Sequence, residues 1–171
     1  MVKFKLYFDK DKEEVWLKEM AEQGWALDKF FLGFYTFKEC APGEYNYQID
    51  LLDNWSGDKR EFAAFMEESG VEVISQWYRW VYLRKKSVEG PFEMYTDIES
   101  KISQYSRIRK FFLVGLIIET LCFCEEVYLT FMTGSGGMIY LDFIIVIFVL
   151  IFLRMVWKCN WKIEELKRNK L

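Results

Sequence analysis

The chain has 171 residues, of which 52% are hydrophobic, 19% aromatic and 29% charged, with a formal net charge of −3. This length gives room for one domain and an appendage. The acidic balance argues against nucleic-acid binding, because contacts with phosphate need a basic surface. There is no histidine, and the four cysteines lack the spacing of metal ligands or of a disulfide framework. We therefore expect no metal, no cofactor and no nucleic-acid partner.

The first 43 residues predict a strand–helix–strand–strand unit. Residues 3–8 alternate apolar and polar side chains, which is the period of a half-buried strand. An amphipathic helix follows, and Gly24 is placed to end it in the left-handed conformation. Residues 25–39 predict a hairpin of two strands. Gly24 is therefore assigned a structural role.

Residues 44–90 repeat the same order of elements, with Gly70 as the second structural glycine. Six residue pairs match at a constant offset of 46: Met20/Met66, Gly24/Gly70, Trp16/Phe62, Leu27/Val73, Phe34/Trp80 and Lys38/Arg84. We interpret the pattern as an internal duplication of a β-α-β-β unit, with repeats at about 1–43 and 44–90. The expected fold class is α+β, with one antiparallel-rich sheet and both helices on one of its faces. Two similar helices arising by chance are the alternative.

Several motifs in this region resemble a known family. The chain reads Glu14-Val-Trp-Leu-x-x-Met20-Ala-x-x-Gly24-Trp25, then Phe34-x-Thr-Phe37, then Pro42-Gly-Glu-Tyr45-x-Tyr47-x-x-Asp50, and later Ile98-Glu-Ser-Lys101-Ile-x-x-Tyr105. Over about its first hundred residues it resembles the bacterial DUF2812 family of uncharacterised proteins. The resemblance implies a membrane segment behind the domain. It also implies a regulatory setting, since some members lie beside PadR-like transcription regulators, but it supplies no activity and no catalytic residues.

The second half of the chain predicts a membrane hairpin. The predicted segments are a linker with a polar helix (91–110), a transmembrane helix (111–132), an extracytoplasmic turn (133–137), a second transmembrane helix (138–158) and a basic cytoplasmic tail (159–171). The second apolar run has about the twenty residues needed to cross a bilayer. Basic residues flank the hairpin and are absent from its turn, so both termini and the domain at 1–90 are expected in the cytoplasm. This predicts a multi-pass protein of the cell membrane with the lipid bilayer as a partner; a helical pair buried in a larger core is the alternative.

Glu119 lies inside the first predicted membrane helix. An ionisable residue in a membrane is a candidate functional site. Arg154 of the second helix is its expected partner. Three roles remain open: a structural ion pair, a contact with a partner or oligomer, and transport chemistry. A two-helix hairpin is too small to enclose a pore, so transport would need a larger assembly.

Aromatic side chains are dense on the predicted strands. With helices on one face of the sheet, some aromatics must face the other way, where Tyr and Trp make good recognition anchors. The candidate binding residues are Tyr35, Tyr45, Tyr47, Trp77, Trp80 and Tyr82. The alternative is that most of them belong to the core or to a dimer face. The acid pairs Glu13/Glu14 and Glu67/Glu68 are expected on solvated helix faces.

No phosphate-binding loop, serine elbow or Cys–His pair is present, so we expect no enzyme activity. The sequence predicts a membrane-anchored cytoplasmic binding or regulatory module. It would recognise a protein or a small ligand through the aromatic sheet face, with a protein partner or a homo-oligomer as its assembly. The alternative is an accessory subunit of a membrane transporter or channel-like assembly that uses Glu119.

Overall fold

The computed structural model describes residues 1–52, 59–133 and 139–170. The chain forms two compact units, Met1–Thr96 and Asp97–Leu171. The first contains β1 (Val2–Phe4), α1 (Lys10–Glu22), β2 (Trp25–Phe31), β3 (Phe34–Glu39), β4 (Tyr45–Leu51), α2 (Lys59–Glu68), β5 (Val71–Trp77) and β6 (Trp80–Lys86), with a short 3-10 turn at Ser87–Glu89. The second contains α3 (Ile98–Thr133) and α4 (Ile139–Arg168).

The two repeats share their local backbone geometry. Gly24 and Gly70 end the two helices with φ angles of 85° and 72°. At the two hairpin turns, Leu32 and Tyr78 have φ angles of 46° and 56°. Both pairs are separated by 46 positions. The repeated order of side chains therefore produces the same helix ends and the same turns in both halves of the unit.

The strands form two three-stranded antiparallel sheets, in the orders β1-β3-β2 and β4-β6-β5. The single sheet expected from the sequence is therefore wrong. Strands β2 and β5 are neighbours, but each has a register shift at the equivalent place, between Leu27 and Lys29 and between Val73 and Ser75. Bulges of this kind interrupt a ladder. The Ser75 hydroxyl donates to the Phe30 carbonyl oxygen at 2.9 Å. This hydrogen bond between β5 and β2 is therefore made by a side chain.

The two helices also lie on different faces, which corrects the expectation of one shared face. α1 contributes Leu17, Met20 and Ala21 to a cluster that includes residues of both sheets, among them Tyr35 and Tyr82. α2 contributes Met66 to a second cluster with Val81 and Leu83. Successive residues of a strand point to opposite faces, so α1 and α2 cover opposite faces of the second sheet.

In the second unit, α3 and α4 pack as an antiparallel pair. A Cβ at Gly115 would lie 2.8 Å from the Phe152 ring, so the absence of a side chain permits this close approach. About 9 Å along α3 from Gly115, the Arg109 guanidinium donates to Asn160 Oδ1 at 2.9 Å. The predicted polar helix and the first apolar segment are one continuous helix, α3. Of the predicted turn at 133–137, only Thr133 lies within the described residues.

Within the described ranges, no helix has the length and apolar character that crossing a membrane requires. The predicted transmembrane hairpin and the multi-pass membrane location are therefore wrong. In α3, Glu119 interrupts the first apolar run. In α4, the uninterrupted run Phe143–Leu153 spans only about 17 Å at the rise of a helix, compared with roughly 30 Å for the hydrocarbon core of a bilayer.

Candidate functional site

Most of the aromatic residues predicted to bind a partner lie against α1. Tyr35, Tyr47 and Tyr82 are only 1%, 6% and 4% exposed. Tyr45 and Trp80 are half-buried and pack on the same cluster. Trp77 differs, with 38% of its surface exposed. The structure therefore brings five of the six residues together in one interior cluster rather than on a surface.

The first sheet carries an exposed row of three phenylalanines on its other face. Phe4 is paired with Phe34, and Phe34 with Phe31, so the three side chains lie directly opposite one another across β1, β3 and β2. They are 60%, 51% and 60% exposed, and the Phe4 and Phe34 ring centroids are 4.8 Å apart. We call this face, with Val2 and Lys29, the open aromatic face.

The chain reaches this arrangement through period-two alternation. Tyr35 and Phe37 of β3 point to α1, so Phe34 and Thr36 point away from it. Lys29 of β2 is paired with Thr36 and is exposed beside the phenylalanine row. Near it, Lys38 Nζ lies 3.4 Å from Asp28 Oδ1, with both side chains well exposed. The face is thus apolar at its centre and carries charged side chains at its margin, the anatomy of a protein-binding surface.

These phenylalanines were not among the predicted site residues, although the sequence contains a signal for them. At the offset of 46 residues, Phe34 corresponds to Trp80 and Phe31 to Trp77. The equivalent faces of the two sheets are thus both aromatic. The sequence pattern does not indicate which of these two faces is covered by a helix.

A buried carboxylate lies at the centre of the first unit. Glu13 is 5% exposed, so the expectation that it is solvated is wrong. Its Oε1 accepts hydrogen bonds from the hydroxyls of Tyr35 at 2.6 Å and Tyr82 at 2.7 Å. Burial raises the pKa of Glu13 to about 7, although both hydroxyls oppose that shift. Burial and the neighbouring Glu13 carboxylate raise the pKa of both tyrosines, so these hydroxyls are donors at ordinary pH.

Glu14 connects α1 to the second sheet. Its Oε1 accepts a hydrogen bond from the Ile49 amide at 2.7 Å and one from Lys10 Nζ at 3.4 Å. Burial raises the pKa of Glu14, while Lys10 and the Ile49 amide act against the shift. Beside it is a cleft of about 370 Å³, lined by Glu14, Lys18, Asn46, Tyr47 and Phe92 among others. Tyr47 reaches this cleft, but its hydroxyl already accepts from the Leu27 amide at 3.0 Å.

Arg84 is another buried charged residue of this unit, at 4% exposure. Its guanidinium donates to both oxygens of Glu72, at 2.7 and 2.8 Å, and to the Leu27 carbonyl oxygen at 3.0 Å. It lies 4.5 Å from the centroid of the Tyr45 ring. All of these contacts are within the chain, so Tyr45 supports the packing of Arg84.

Glu119 and Arg154 are not brought together. Glu119 is half-buried and Arg154 is exposed, and within the described residues no ion pair joins them. Gly115 is level with Phe152, so Glu119 is level with about residue 148, roughly 9 Å along α4 from Arg154. Arg154 instead lines a shallow groove of about 670 Å³ with Leu150, Ile151, Leu153 and Trp157.

No cluster that could hold a metal ion, meaning three or more Cys, Asp or Glu side chains, occurs among the described residues. The four cysteines are free thiols, of which Cys122 and Cys124 are exposed and Cys159 is buried. On the part of the chain that the structure describes, the open aromatic face is therefore the best-formed candidate site.

A family model described as "Protein of unknown function (DUF2812)" matches residues 9–117. Comparison with curated proteins and with solved structures gives no match. The family match confirms the resemblance found in the sequence motifs and extends it along α3 to residue 117.

Proposed function

The chain belongs to the DUF2812 family, and we propose that it is a non-catalytic binding protein whose first unit recognises a protein partner through the open aromatic face. The observation that carries this proposal is the row Phe4–Phe34–Phe31, whose rings are all at least half exposed. Large apolar side chains grouped on a surface mark interaction sites more often than isolated ones do. A regulatory role linked to PadR-like regulators remains part of the proposal.

The geometry of the row is more typical of a surface that binds a partner than of side chains that are exposed incidentally. The backbone positions of the three phenylalanines are fixed by the register of a sheet, so binding requires no ordering of the backbone that carries them. The Lys5 amide donates to the Gly33 carbonyl oxygen at 2.9 Å, which fixes the chain after β1 against the β2–β3 turn. Leu6 and Leu32, 62% and 49% exposed, extend the apolar surface at that turn.

Capture of partners by the full chain tests the proposal. We would immobilise the natural chain, the double variant Phe31→Thr/Phe34→Thr, and the control Phe65→Ala, and compare the proteins that each retains from cytosol. Threonine keeps strand propensity while removing the rings. Phe65 is 62% exposed on α2 and lies outside the open aromatic face. We expect the double variant alone to lose the partner; equal capture by all three chains contradicts the proposal.

A second function is favoured by a separate observation, the apolar surface of the α3–α4 pair. Among the described residues, ten large apolar side chains of α3 and nine of α4 are exposed. At about 50 Å² for each half-exposed side chain, they present on the order of 900 Å², close to the ~800 Å² that one partner contributes to a stable interface. We propose that a second copy of this pair covers part of that surface.

Sedimentation equilibrium of the full chain in aqueous buffer tests this second proposal. A dimer or larger species is expected. Leu121 and Leu150, 64% and 61% exposed, are suitable positions for Leu→Glu substitutions that weaken it. A natural chain that sediments as a monomer, or that becomes monodisperse only in detergent or lipid, would rule it out.

A further inference from the structure

The two sheets have equivalent faces of which one is covered and the other is open. At the repeat offset of 46, the row Phe31, Phe34 and Thr36 corresponds to Trp77, Trp80 and Tyr82. In the second sheet, Trp80 and Tyr82 belong to the cluster that α1 covers. In the first sheet, Phe31 and Phe34 have no such cover within the described part of the unit and remain at least half exposed.

The covering of the second sheet shows which chemistry this kind of face accepts. α1 brings Leu17, Met20 and Ala21 into the cluster with Ile49 and Tyr82. It also brings two carboxylates: Glu13 accepts from the Tyr82 hydroxyl, and Glu14 accepts from the Ile49 amide. The helix that covers the second sheet, α1, is therefore amphipathic, with acidic side chains next to its apolar stripe.

Resting on the proposed function, we propose that the partner binds the open aromatic face with an acidic amphipathic α-helix, as α1 binds the equivalent face of the second sheet. Three strands span about 10 Å between the outer two, which is the diameter of one helix. The exposed Lys29 beside the ring row favours carboxylates on that helix, whereas Lys38 at the margin is already paired with Asp28.

Two other modes of binding fit the face less well. Addition of a strand would use the free edge of β1, but that strand has only three residues, Val2–Phe4, and offers few main-chain groups. A second copy packing face to face would offer Lys29 no free carboxylate from Asp28 of the same face, because Asp28 is already paired with Lys38. A helix buries the ring row without either difficulty.

The probe we would use is a helix-stabilised synthetic peptide with the sequence of residues 9–23, which contains α1. Binding to the natural full-length chain is measured by fluorescence anisotropy. The same measurement is made on Phe31→Thr/Phe34→Thr and on the control Phe65→Ala. A second peptide, with Leu17→Glu and Met20→Glu, has lost the apolar stripe. We expect saturable binding to the natural chain by the peptide of residues 9–23 and none by the Leu17→Glu/Met20→Glu peptide. The affinity for the first peptide should fall at least tenfold in Phe31→Thr/Phe34→Thr and stay unchanged in Phe65→Ala.

Two results would overturn the inference. Binding that survives the double substitution would place the peptide elsewhere, including exchange with the chain's own α1. No saturable binding to the natural chain would exclude a helix of this chemistry. If partner capture still depends on Phe31 and Phe34 in that case, the proposed function stands and only the helical occupant is wrong. If capture is independent of both residues, the proposed function itself fails.

Discussion

Glu13 and Tyr82 are joined by a hydrogen bond of 2.7 Å although 69 residues separate them in the chain. The same carboxylate oxygen also accepts from Tyr35, at 2.6 Å. Tyr35 belongs to the first sheet and Tyr82 to the second, so one buried acid on α1 connects both repeats. Because charged hydrogen bonds are stronger than neutral ones but burial penalises the charge, the protonation of Glu13 is coupled to the stability of this unit.

Replacing Glu13 with glutamine should change how stability depends on pH. Burial raises the pKa of Glu13 in the folded chain to about 7, from 4.5 for an unperturbed glutamate. A proton is thus held more tightly in the folded state, so the stabilisation is fully present below pH 4.5 and is lost as the pH rises to 7. The loss amounts to on the order of 3 kcal/mol. Glutamine keeps an acceptor oxygen and cannot ionise.

We therefore expect the free energy of unfolding of Glu13→Gln, relative to the natural chain, to increase by roughly that amount between pH 4.5 and pH 8. Urea unfolding followed by tryptophan fluorescence at several pH values measures it. Glu19→Gln is the matched control, because Glu19 is an exposed acid on the same helix. A difference that is constant across the pH range would show that Glu13 does not titrate in this window.

Replacing Tyr82 with phenylalanine should destabilise the unit and raise the pKa of Glu13 further. The substitution removes one of the two hydroxyls that hold the pKa of Glu13 down. A lost hydrogen bond to a buried polar group costs about 1–3 kcal/mol, and the cost should be larger at pH 8 than at pH 5. Tyr128→Phe, at an exposed tyrosine of α3, serves as the control in the same unfolding measurement. An equal effect of both substitutions would contradict the prediction.

The sequence predicted the local elements well because their signals are local. Gly24 and Gly70 adopt the left-handed conformation expected of helix ends, and alternation located the longer strands. It failed where the outcome depends on packing between repeats. α1 packs against both sheets, and the periodicity of its sequence does not specify this arrangement. Glu13 looked like half of a solvated acid pair, yet its spacing to Leu17 and Met20 puts it on the buried stripe of α1.

The location of the candidate site also depends on how α1 packs against the two sheets. Tyr47 and Tyr82 were expected on a surface because a sheet with both helices on one side leaves the other side free. Their face is covered because α1 belongs to the first repeat and packs on the second sheet as well. The phenylalanines of the first sheet are left open for that reason.

Likewise, positive-inside counting and hydropathy predicted a membrane hairpin, while Glu119 and Arg154 divide the apolar runs into pieces too short to span a membrane.

Arg84 and Lys38 occupy equivalent positions of the two repeats and should respond very differently to truncation. Arg84 is buried and donates to the exposed Glu72 and to the buried Leu27 carbonyl oxygen, so Arg84→Ala leaves that carbonyl unpaired and should cost about 1–3 kcal/mol. Lys38 makes one exposed ion pair with Asp28, so Lys38→Ala should cost less than about 1 kcal/mol. Urea unfolding at pH 7 gives both values. Similar costs would show that the Arg84 contacts add no stability.

Alanine at Gly24 should destabilise the first unit by at least as much as alanine at Gly70. Both glycines have left-handed φ angles, which costs a residue with a Cβ about 1–2 kcal/mol. At Gly24 the new Cβ would also lie 3.3 Å from the Cys40 carbonyl oxygen, which is backbone, whereas at Gly70 it would meet the movable end of the Glu89 side chain. Asparagine tolerates this conformation better than alanine, so Gly70→Asn should recover part of the stability lost in Gly70→Ala. Thermal unfolding of the variants measures the series; an alanine that is neutral at both positions would mean that neither helix end depends on its glycine.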